Sequence, residues 1–600
     1  MGAGDADSSS GIACWRISAT GELSGRLRIG APTDDPPGRW SVLGWADRDH
    51  ITLWRRGKHN ELRIVGTDAG ERPADLRVVG RPVACRIAAS GRVECMLALS
   101  AGGGRAVPCL YFPADDTYLL VGGPGEFTGL AAWDARQGLA VLNAEAGGSS
   151  HLRIVLYGGG SIEEVPLAPS GDIAVLSARG HGADTVGLTG RTRDGQVVPG
   201  TLNLVDASVR WHDAMIGYWS TDVSPSGRRL LISTWADERN VYRVLGTDGE
   251  RIGEVRPPDG VATRLVFTAD ERHLVGWYQS PTTPPTVLRW DTETGTACPT
   301  RRNSPRAVSH DLSWSHRRVP DRDGRDLPEW VFTPRHGRSH GTVLHLHGGP
   351  RGRLNQIYDP VIAALASAGW TVVGMNYPGS TGYGQEYAER SRGDWGGTDA
   401  ASVEWRLRTL RREACGPICV YGHSYGGYLA LLLLAAAPEA VDATAVWAPV
   451  TDLPELLRTS GGTRRRWLEE ELGALRSDPA QLIARSPVTR LGTLRGQRLL
   501  VGHGLLDEVC PVEQSRRLAH TLDGPRERPG RFEYLEDDGS SHTPTTWHRW
   551  IDAVVGHFDR VRSAGSRTAL RDDGSAATRE KPRSTNGRPA LRDTRVRTIR

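Results

Sequence analysis

The first half of the chain carries short apolar runs separated by glycine, aspartate and proline, without long helical periodicity up to about residue 310. Such runs predict many short β-strands. A turn followed by a small apolar run recurs, and the turn glycines Gly91, Gly138, Gly171 and Gly227 are 47, 33 and 56 residues apart. Propeller blades of four strands span about 40–50 residues, so residues 1–310 are predicted to form a β-propeller of six to seven blades. A β-sandwich or two small β domains is the alternative.

From residue 311 to about 562 the pattern changes, and apolar strand-like runs alternate with helical stretches. This alternation predicts an α/β domain built on a mostly parallel sheet. The most apolar stretch, residues 429–437, ends at Pro438 and is too short to cross a membrane, so it is predicted to be a buried helix.

Residues 563–600 carry no apolar periodicity and are predicted to form a disordered basic tail. The whole chain has a formal net charge of +4, and the tail holds ten Arg or Lys against four Asp or Glu, a net of +6. The rest of the chain is therefore at −2, close to neutral. A nucleic-acid partner is not expected on this balance, although the tail alone has the charge for weak attraction to an acidic partner.

A candidate nucleophile stands in the turn between one of these strands and the apolar helix. Gly422 and Gly426 flank Ser424 in a G-x-S-x-G pattern, preceded by the apolar run at 418–420. The glycines allow a cramped strand-to-helix turn that presents a serine hydroxyl at a helix N-terminus. Ser424 is therefore the predicted nucleophile.

Partners for this serine follow in the order acid, then base. Asp507 lies in a loop after the apolar run at 499–501, and His542 lies in a polar loop after the strand-like run at 531–535. Catalytic groups of open α/β sheets gather at the carboxyl ends of the strands. We predict that His542, and not His548 of the following helix, takes the serine proton while Asp507 orients the imidazole.

A glycine-rich loop, residues 347–350, follows the strand-like run at 342–346 and supplies a candidate oxyanion hole. Glycines let backbone N–H groups approach a developing oxyanion. We assign one donor to the N–H of Gly349 and the other to the N–H of Tyr425, the residue after the nucleophile.

Several motifs in this order resemble the prolyl oligopeptidase family of serine peptidases, nearest its acylaminoacyl-peptidase and dipeptidyl-aminopeptidase branch. They are His347-Gly348-Gly349-Pro350, Asn376-Tyr377-Pro378-Gly379-Ser380, Gly393-Asp394-Trp395-Gly396-Gly397, Gly422-His423-Ser424-Tyr425-Gly426 and His503-Gly504-Leu505-Leu506-Asp507. The resemblance is close over about the last half of the chain. It implies an N-terminal β-propeller capping a C-terminal α/β-hydrolase domain, with the active site between them. It also implies oxyanion roles for Gly349 and Tyr425.

The chain departs from the family at two informative places. The family usually has glycine directly before the catalytic histidine, whereas two serines separate Gly539 from His542. Dipeptidyl peptidases of the family hold the substrate amine with paired glutamates on the propeller, and Glu163 and Glu164 are the candidate pair here. The pair lacks the aromatic run that usually precedes it, so acyl-aminoacyl and endo-type cleavage stay open.

The predicted function is hydrolysis of short peptides by a serine peptidase through an acyl-enzyme on Ser424. The alternatives are a small-ester hydrolase or peptide acyl transferase of the same fold, and a catalytically silent binding protein. No cofactor, metal or membrane partner is expected, and a homo-oligomer is possible. The eight cysteines are scattered without C-x-x-C pairs, and the chain opens without a basic and apolar leader, so a cytoplasmic location is expected.

Overall fold

The computed structural model describes residues 312–413, 416–522 and 531–569. Between Gly11 and Pro299 it describes mainly the β-strands. The chain divides into two compact units, Met1–Ser280 with Pro285–Pro305 and Pro281–Pro284 with Arg306–Arg600. The predicted domain boundary at 310/311 lies in a stretch outside the described residues, as do residues 570–600 of the predicted tail.

The first unit is described as β-strands. In chain order, β1 to β26 are Gly11–Ile17, Leu23–Gly30, Trp40–Trp45, His50–Arg55, Asn60–Gly66, Ala74–Val78, Arg81–Ile87, Val93–Ser100, Ala106–Phe112, Thr117–Leu120, Glu126–Asp134, Leu139–Ala146, Ser149–Gly158, Ser161–Val165, Ile173–Arg179, Thr185–Thr192, Val197–Asn203, Val209–Trp211, Tyr218–Val223, Arg229–Ala236, Arg239–Gly246, Arg251–Val255, Val261–Phe267, His273–Ser280, Thr283–Asp291 and Ala297–Pro299.

Four sheets of this unit contain four consecutive strands each: β3–β6, β15–β18, β19–β22 and β23–β26. Strands β7–β14 form one larger sheet, and β1 pairs with β2. The prediction of many short strands is confirmed. Four-stranded antiparallel sheets in succession are typical of propeller blades, while propeller closure and the number of six to seven blades stay predictions.

The turn repeat seen in the sequence recurs at equivalent places in two sheets. It joins β19 to β20 and β23 to β24, with a positive φ of 74° at Gly227 and 56° at Glu271. The N–H of Gly227 donates to the carbonyl of Ser224, and the N–H of Glu271 donates to that of Thr268. In these two sheets the turn therefore marks the entry to the second strand.

The second unit alternates strands and helices, as predicted. Its strands β27 to β34 are Leu312–Pro320, Asp326–Pro334, Thr342–Leu346, Thr371–Met375, Ile418–His423, Ala443–Trp447, Leu499–Gly504 and Phe532–Asp537. Its helices α1 to α10 are Pro360–Ser367, Gln385–Glu389, Thr398–Glu413, Tyr425–Ala436, Leu453–Thr459, Gly462–Leu472, Pro479–Ala484, Leu491–Leu494, Glu513–Leu522 and Trp547–Ala569. Short 3₁₀ turns lie at Pro438–Ala440, Gly473–Ser477 and Pro487–Arg490.

The eight strands form one sheet in the order β27-β28-β30-β29-β31-β32-β33-β34. Strands β29 to β34 run parallel to one another, whereas β27 pairs antiparallel with β28, and β28 pairs antiparallel with β30. The carboxyl ends of β29, β31, β32, β33 and β34 therefore meet at one edge of the sheet.

Alternate residues of the central strands supply the two faces of the core. Val343 of β29 packs in one buried cluster with Trp370 and Phe558, and its neighbour Leu344 packs in the opposite cluster with the leucines of α4. This alternation is the period of a β-strand covered on both faces. Helix α4 is apolar all round and buried along most of its length, so the predicted buried helix is confirmed.

The last helix, α10, continues to Ala569, beyond the predicted start of the tail at Ser563. Its final turns lack apolar periodicity, but adding a residue to an existing helix costs far less than starting one. Within the part of the chain that is described, no helix has the length and hydropathy needed to cross a lipid bilayer.

Candidate active site

The turn that carries Ser424 is strained and tightly packed. Ser424 has φ 56° and ψ −116°, between the end of β31 and the first residue of α4. A Cβ on Gly422 would lie 2.2 Å from the carbonyl oxygen of Gly426, and a Cβ on Gly426 would lie 2.0 Å from that of Leu346. Only glycine fits both places, and backbone strain of this kind is concentrated at functional residues. The geometry is that of a nucleophile elbow.

Asp507 and His542 meet at the carboxyl ends of β33 and β34. The Nδ1–H of His542 donates to Oδ2 of Asp507 at 2.8 Å. The other carboxylate oxygen accepts the backbone N–H groups of Val509 and Cys510, each at 2.8 Å. Because Nδ1 of His542 is engaged, its Nε2 is the nitrogen left to accept a proton.

A second histidine, His503, supports the same carboxylate. It is fully buried at the end of β33, with Nε2 3.3 Å from Oδ2 of Asp507 and 2.8 Å from the carbonyl oxygen of Cys510. Burial alone would raise the pKa of Asp507, but hydrogen bonds from His503 and His542 outweigh it and hold the pKa well below its ordinary value. Asp507 is therefore a carboxylate at neutral pH. His503 belongs to the sequence motif that ends at Asp507, but the motif did not indicate that His503 supports the Asp507 carboxylate.

The backbone of His542 is also fixed by two side chains. Its carbonyl oxygen accepts from Nε2 of His423 at 2.9 Å and from Nε1 of Trp447 at 3.1 Å. Since a carbonyl can only accept, the proton of His423 is on Nε2. Burial, and then the neighbouring His542, lower the pKa of His423 to about 4, so it is neutral near pH 7. His423 thus joins the nucleophile turn to the loop of the candidate base.

Replacing His423 with glutamine is expected to flatten the acid side of the pH–stability profile. An unfolded histidine binds a proton near pH 6.5, whereas folded His423 does so only near pH 4. Between these values the unfolded state holds the extra proton, so stability falls as pH falls, by up to about 1.4 kcal/mol per pH unit. Glutamine keeps an amide N–H for the carbonyl of His542 but does not titrate.

Urea unfolding of both proteins at several pH values between 4 and 7 measures the difference. The wild type should show the steeper loss of unfolding free energy on acidification, by about one proton. Equal slopes would mean that His423 is not held neutral in the folded protein.

The glycine loop at 347–350 is anchored from behind by Tyr377. The hydroxyl of Tyr377 donates to the carbonyl of His347 at 2.7 Å, and the two rings stack with centroids 4.3 Å apart. Burial lowers the pKa of His347 to about 4. Gly348 and Gly349 line the same cavity as Ser424. A fixed loop keeps backbone N–H groups aimed at one point, which is what oxyanion stabilisation needs.

Tyr425 is held by its side chain as well as by its place in α4. Its hydroxyl donates to the carboxylate of Asp399, and its ring packs edge-on against Trp395 at 4.8 Å. Burial raises the pKa of Asp399 to about 6. As the first residue of α4, Tyr425 has an N–H without an acceptor inside the helix, which leaves it available to an anion. The role of Asp399 was missed because nothing in the sequence pairs it with Tyr425.

A cavity of about 280 Å³ brings these groups together. Ser424, His542, Gly349 and Tyr425 line one part of it, and Asp507 lies behind His542. The remaining wall comes mainly from loops and from α5 and α6, and it consists of Gly348, Trp395, His423, Val450, Leu456, Arg464, Trp467, Leu468 and Val509. An apolar recess beside a few convergent polar groups is the usual form of a small-molecule or peptide-residue site.

The other predicted site residues, Glu163 and Glu164, are successive residues of β14, which pairs with β13. Their part in substrate binding stays a prediction. Among the residues that the structure describes, no cluster of three or more His, Cys, Asp or Glu side chains is arranged to hold a metal ion.

An eight-stranded, mostly parallel sheet with a strained serine at a strand–helix turn defines an α/β-hydrolase domain. Residues 357–562 match the model of the prolyl oligopeptidase family. These residues belong to the prolyl oligopeptidase family of serine peptidases, and the resemblance predicted from the motifs is confirmed.

The relatives agree with this assignment. Dipeptidyl aminopeptidase BIII of Pseudoxanthomonas mexicana is 24% identical over 373 residues, which cover 58% of this chain and 52% of that protein. Acylamino-acid-releasing enzyme 1 of Oryza sativa subsp. japonica is 24% identical over 340 residues, covering 51% of this chain and 43% of that protein. The chain therefore matches about half the length of these curated relatives.

A solved structure extends the likeness of fold over most of the chain. The crystal structure of a puromycin hydrolase superposes with a TM-score of 0.70 at 20% identity, covering 92% of both chains. At this identity the likeness concerns the fold.

Proposed function

We propose that this protein is a serine peptidase that hydrolyses short peptides through an acyl-enzyme on Ser424. The observation that carries the proposal is the strained Ser424 beside a His542–Asp507 hydrogen bond of 2.8 Å, at one edge of one sheet. Family membership of residues 357–562 and the peptidase names of the relatives support the reaction class.

In the first half of the reaction, Oγ of Ser424 attacks the carbonyl carbon of the scissile amide while Nε2 of His542 takes the hydroxyl proton. The N–H groups of Gly349 and Tyr425 donate to the oxyanion that forms. His542 then gives its proton to the amide nitrogen, the C–N bond breaks, and the amine product leaves an ester on Ser424. Asp507 stays ionised and stabilises the imidazolium throughout.

In the second half, water attacks the ester carbon and gives a proton to His542. The ester C–O bond breaks, the proton returns to Oγ of Ser424, and the carboxylic acid product leaves. An amine in place of water would make the same ester the intermediate of acyl transfer.

For the rest of the molecule, we propose that the successive sheets of the first unit close into a propeller of six to seven blades, as in the family. A cytoplasmic location fits the buried Cys419 and Cys510, which form no disulfide.

The function is tested by labelling the full chain with a fluorophosphonate probe and by digesting a peptide library in water enriched in ¹⁸O. A serine hydrolase should take up the probe at Ser424, and a peptidase should release fragments with ¹⁸O in the new terminal carboxylate. Products joined to added amines without the isotope would indicate a transferase instead. Neither labelling nor cleavage would refute the proposal and favour a binding protein.

A further inference from the structure

Among the residues that the structure describes, Arg464 is a cation that lines the candidate active-site cavity and is not paired with a carboxylate. Arg464 of α6 shares the cavity with Ser424 and His542. Its Nε donates to Oγ of Ser460 at 3.4 Å, and no carboxylate within the described ranges lies at ion-pair distance from it. The next residue of the same helix, Arg465, pairs with Glu469 at 2.9 Å and points elsewhere.

Arg464 is partly buried, and burying a charge without a counter-ion costs free energy of solvation. Burial lowers the pKa of this guanidinium, although arginine stays charged at any physiological pH. A partly desolvated charge is normally paired with an opposite one. Most of the wall around Arg464, including Trp467 and Leu468, is apolar and supplies no acceptor.

The carboxylate of Asp507 lies in the neighbourhood but is already saturated. One oxygen accepts two backbone N–H groups, and the other accepts from His542 and His503. Diverting this carboxylate to Arg464 would break the hydrogen bond that orients His542. Asp507 is therefore not free to pair with Arg464, and the guanidinium is left open to an acceptor on a molecule bound in the cavity.

We propose that Arg464 binds a carboxylate of the substrate, so that the peptidase prefers peptides carrying a negative charge next to the scissile bond. The apolar wall suits a short hydrocarbon stem ending in that carboxylate. Two sources share this chemistry: an acidic side chain on the residue that acylates Ser424, and the free C-terminal carboxylate of a short leaving group. The inference rests on the proposed peptidase function.

Two pairs of peptides separate these sources. The first pair differs only by Glu or Gln at the acylating residue, with an amidated C-terminus; the second has Leu there and differs by a free or amidated C-terminus. A charge-assisted hydrogen bond to a guanidinium is expected to favour the charged member of one pair about tenfold to a hundredfold in kcat/KM. The pair that responds identifies the source.

Arg464→Gln should bring that ratio close to one, and Arg464→Lys should keep part of it, because lysine retains the charge but not the planar fork. The matched control is Arg466→Gln, which removes the same charge from an exposed position of the same helix and should leave the ratio unchanged. Fluorophosphonate labelling of each variant verifies that its site is folded.

A wild-type ratio near one in both pairs would overturn the inference, and so would a ratio that survives in Arg464→Gln. In either case, hydrolysis of the neutral peptides would leave the proposed function standing. If no peptide is hydrolysed and the wild type is not labelled, both the proposed function and the inference about Arg464 are wrong.

Discussion

Replacing Ser424 with alanine is expected to lower kcat for peptide hydrolysis by a factor on the order of 10⁶. If the acyl-enzyme forms on this hydroxyl, the variant keeps only the contribution of the oxyanion donors and of substrate binding. The measurement is steady-state turnover of one short peptide by purified protein, with contaminating peptidase excluded by a parallel preparation that lacks the chain. Ser402→Ala, which removes a hydroxyl bonded within α3, is the matched control and should retain activity.

The strain at Ser424 gives a second readout that does not depend on activity. Alanine inherits the φ of 56°, whereas glycine adopts such a conformation freely. Both variants should be inactive. Ser424→Gly should nevertheless have an unfolding free energy about 1 kcal/mol larger than that of Ser424→Ala, and it should unfold at a higher temperature. If kcat of Ser424→Ala lies within tenfold of the wild-type value, Ser424 is not the nucleophile.

The parts of the site that the sequence could predict are those fixed by local chemistry. The turn at Ser424 is encoded by two glycines four residues apart between an apolar run and an apolar helix, and both glycines are sterically required. The helix after it is buried because it is apolar on every side. The same holds for the turns at Gly227 and Glu271, where short-range hydrogen bonds set the backbone.

The parts that the sequence could not predict join segments far apart in the chain. The hydrogen bond of His423 to the carbonyl of His542 spans 119 residues, and that of Tyr425 to Asp399 spans 26. No spacing rule relates such pairs, since they meet only through the order of the strands in the sheet and the packing of the helices on it. Arg464, Arg465 and Arg466 are equivalent in the sequence, and only the packing of α6 turns the first of them toward the cavity.

At the end of the last helix, the sequence pattern predicted too little regular structure. Loss of apolar periodicity after residue 562 predicted a tail, yet α10 continues to Ala569. Periodicity reports which residues pack on a core, and a helix continues past its packed portion when nothing in the sequence stops it. Composition therefore predicts the end of packing better than the end of the helix.

Replacing His542 with alanine is expected to lower kcat on the order of 10⁶-fold, as loss of the base does in other serine peptidases, whereas His548→Ala should stay near the wild type. His542 lines the cavity with Ser424, donates to Asp507 through Nδ1, and is held by its carbonyl oxygen. His548 is exposed in the first turn of α10. The two variants remove the same side chain six positions apart, so each is the control for the other.

Turnover of one peptide by both variants decides between the histidines. The partner of His542 keeps its charge over the working range, because the pKa of Asp507 is held well below its ordinary value. An inactive His548→Ala beside an active His542→Ala would reverse the assignment. The Asp507–His542 hydrogen bond would then be structural, and the base would have to reach Ser424 from α10.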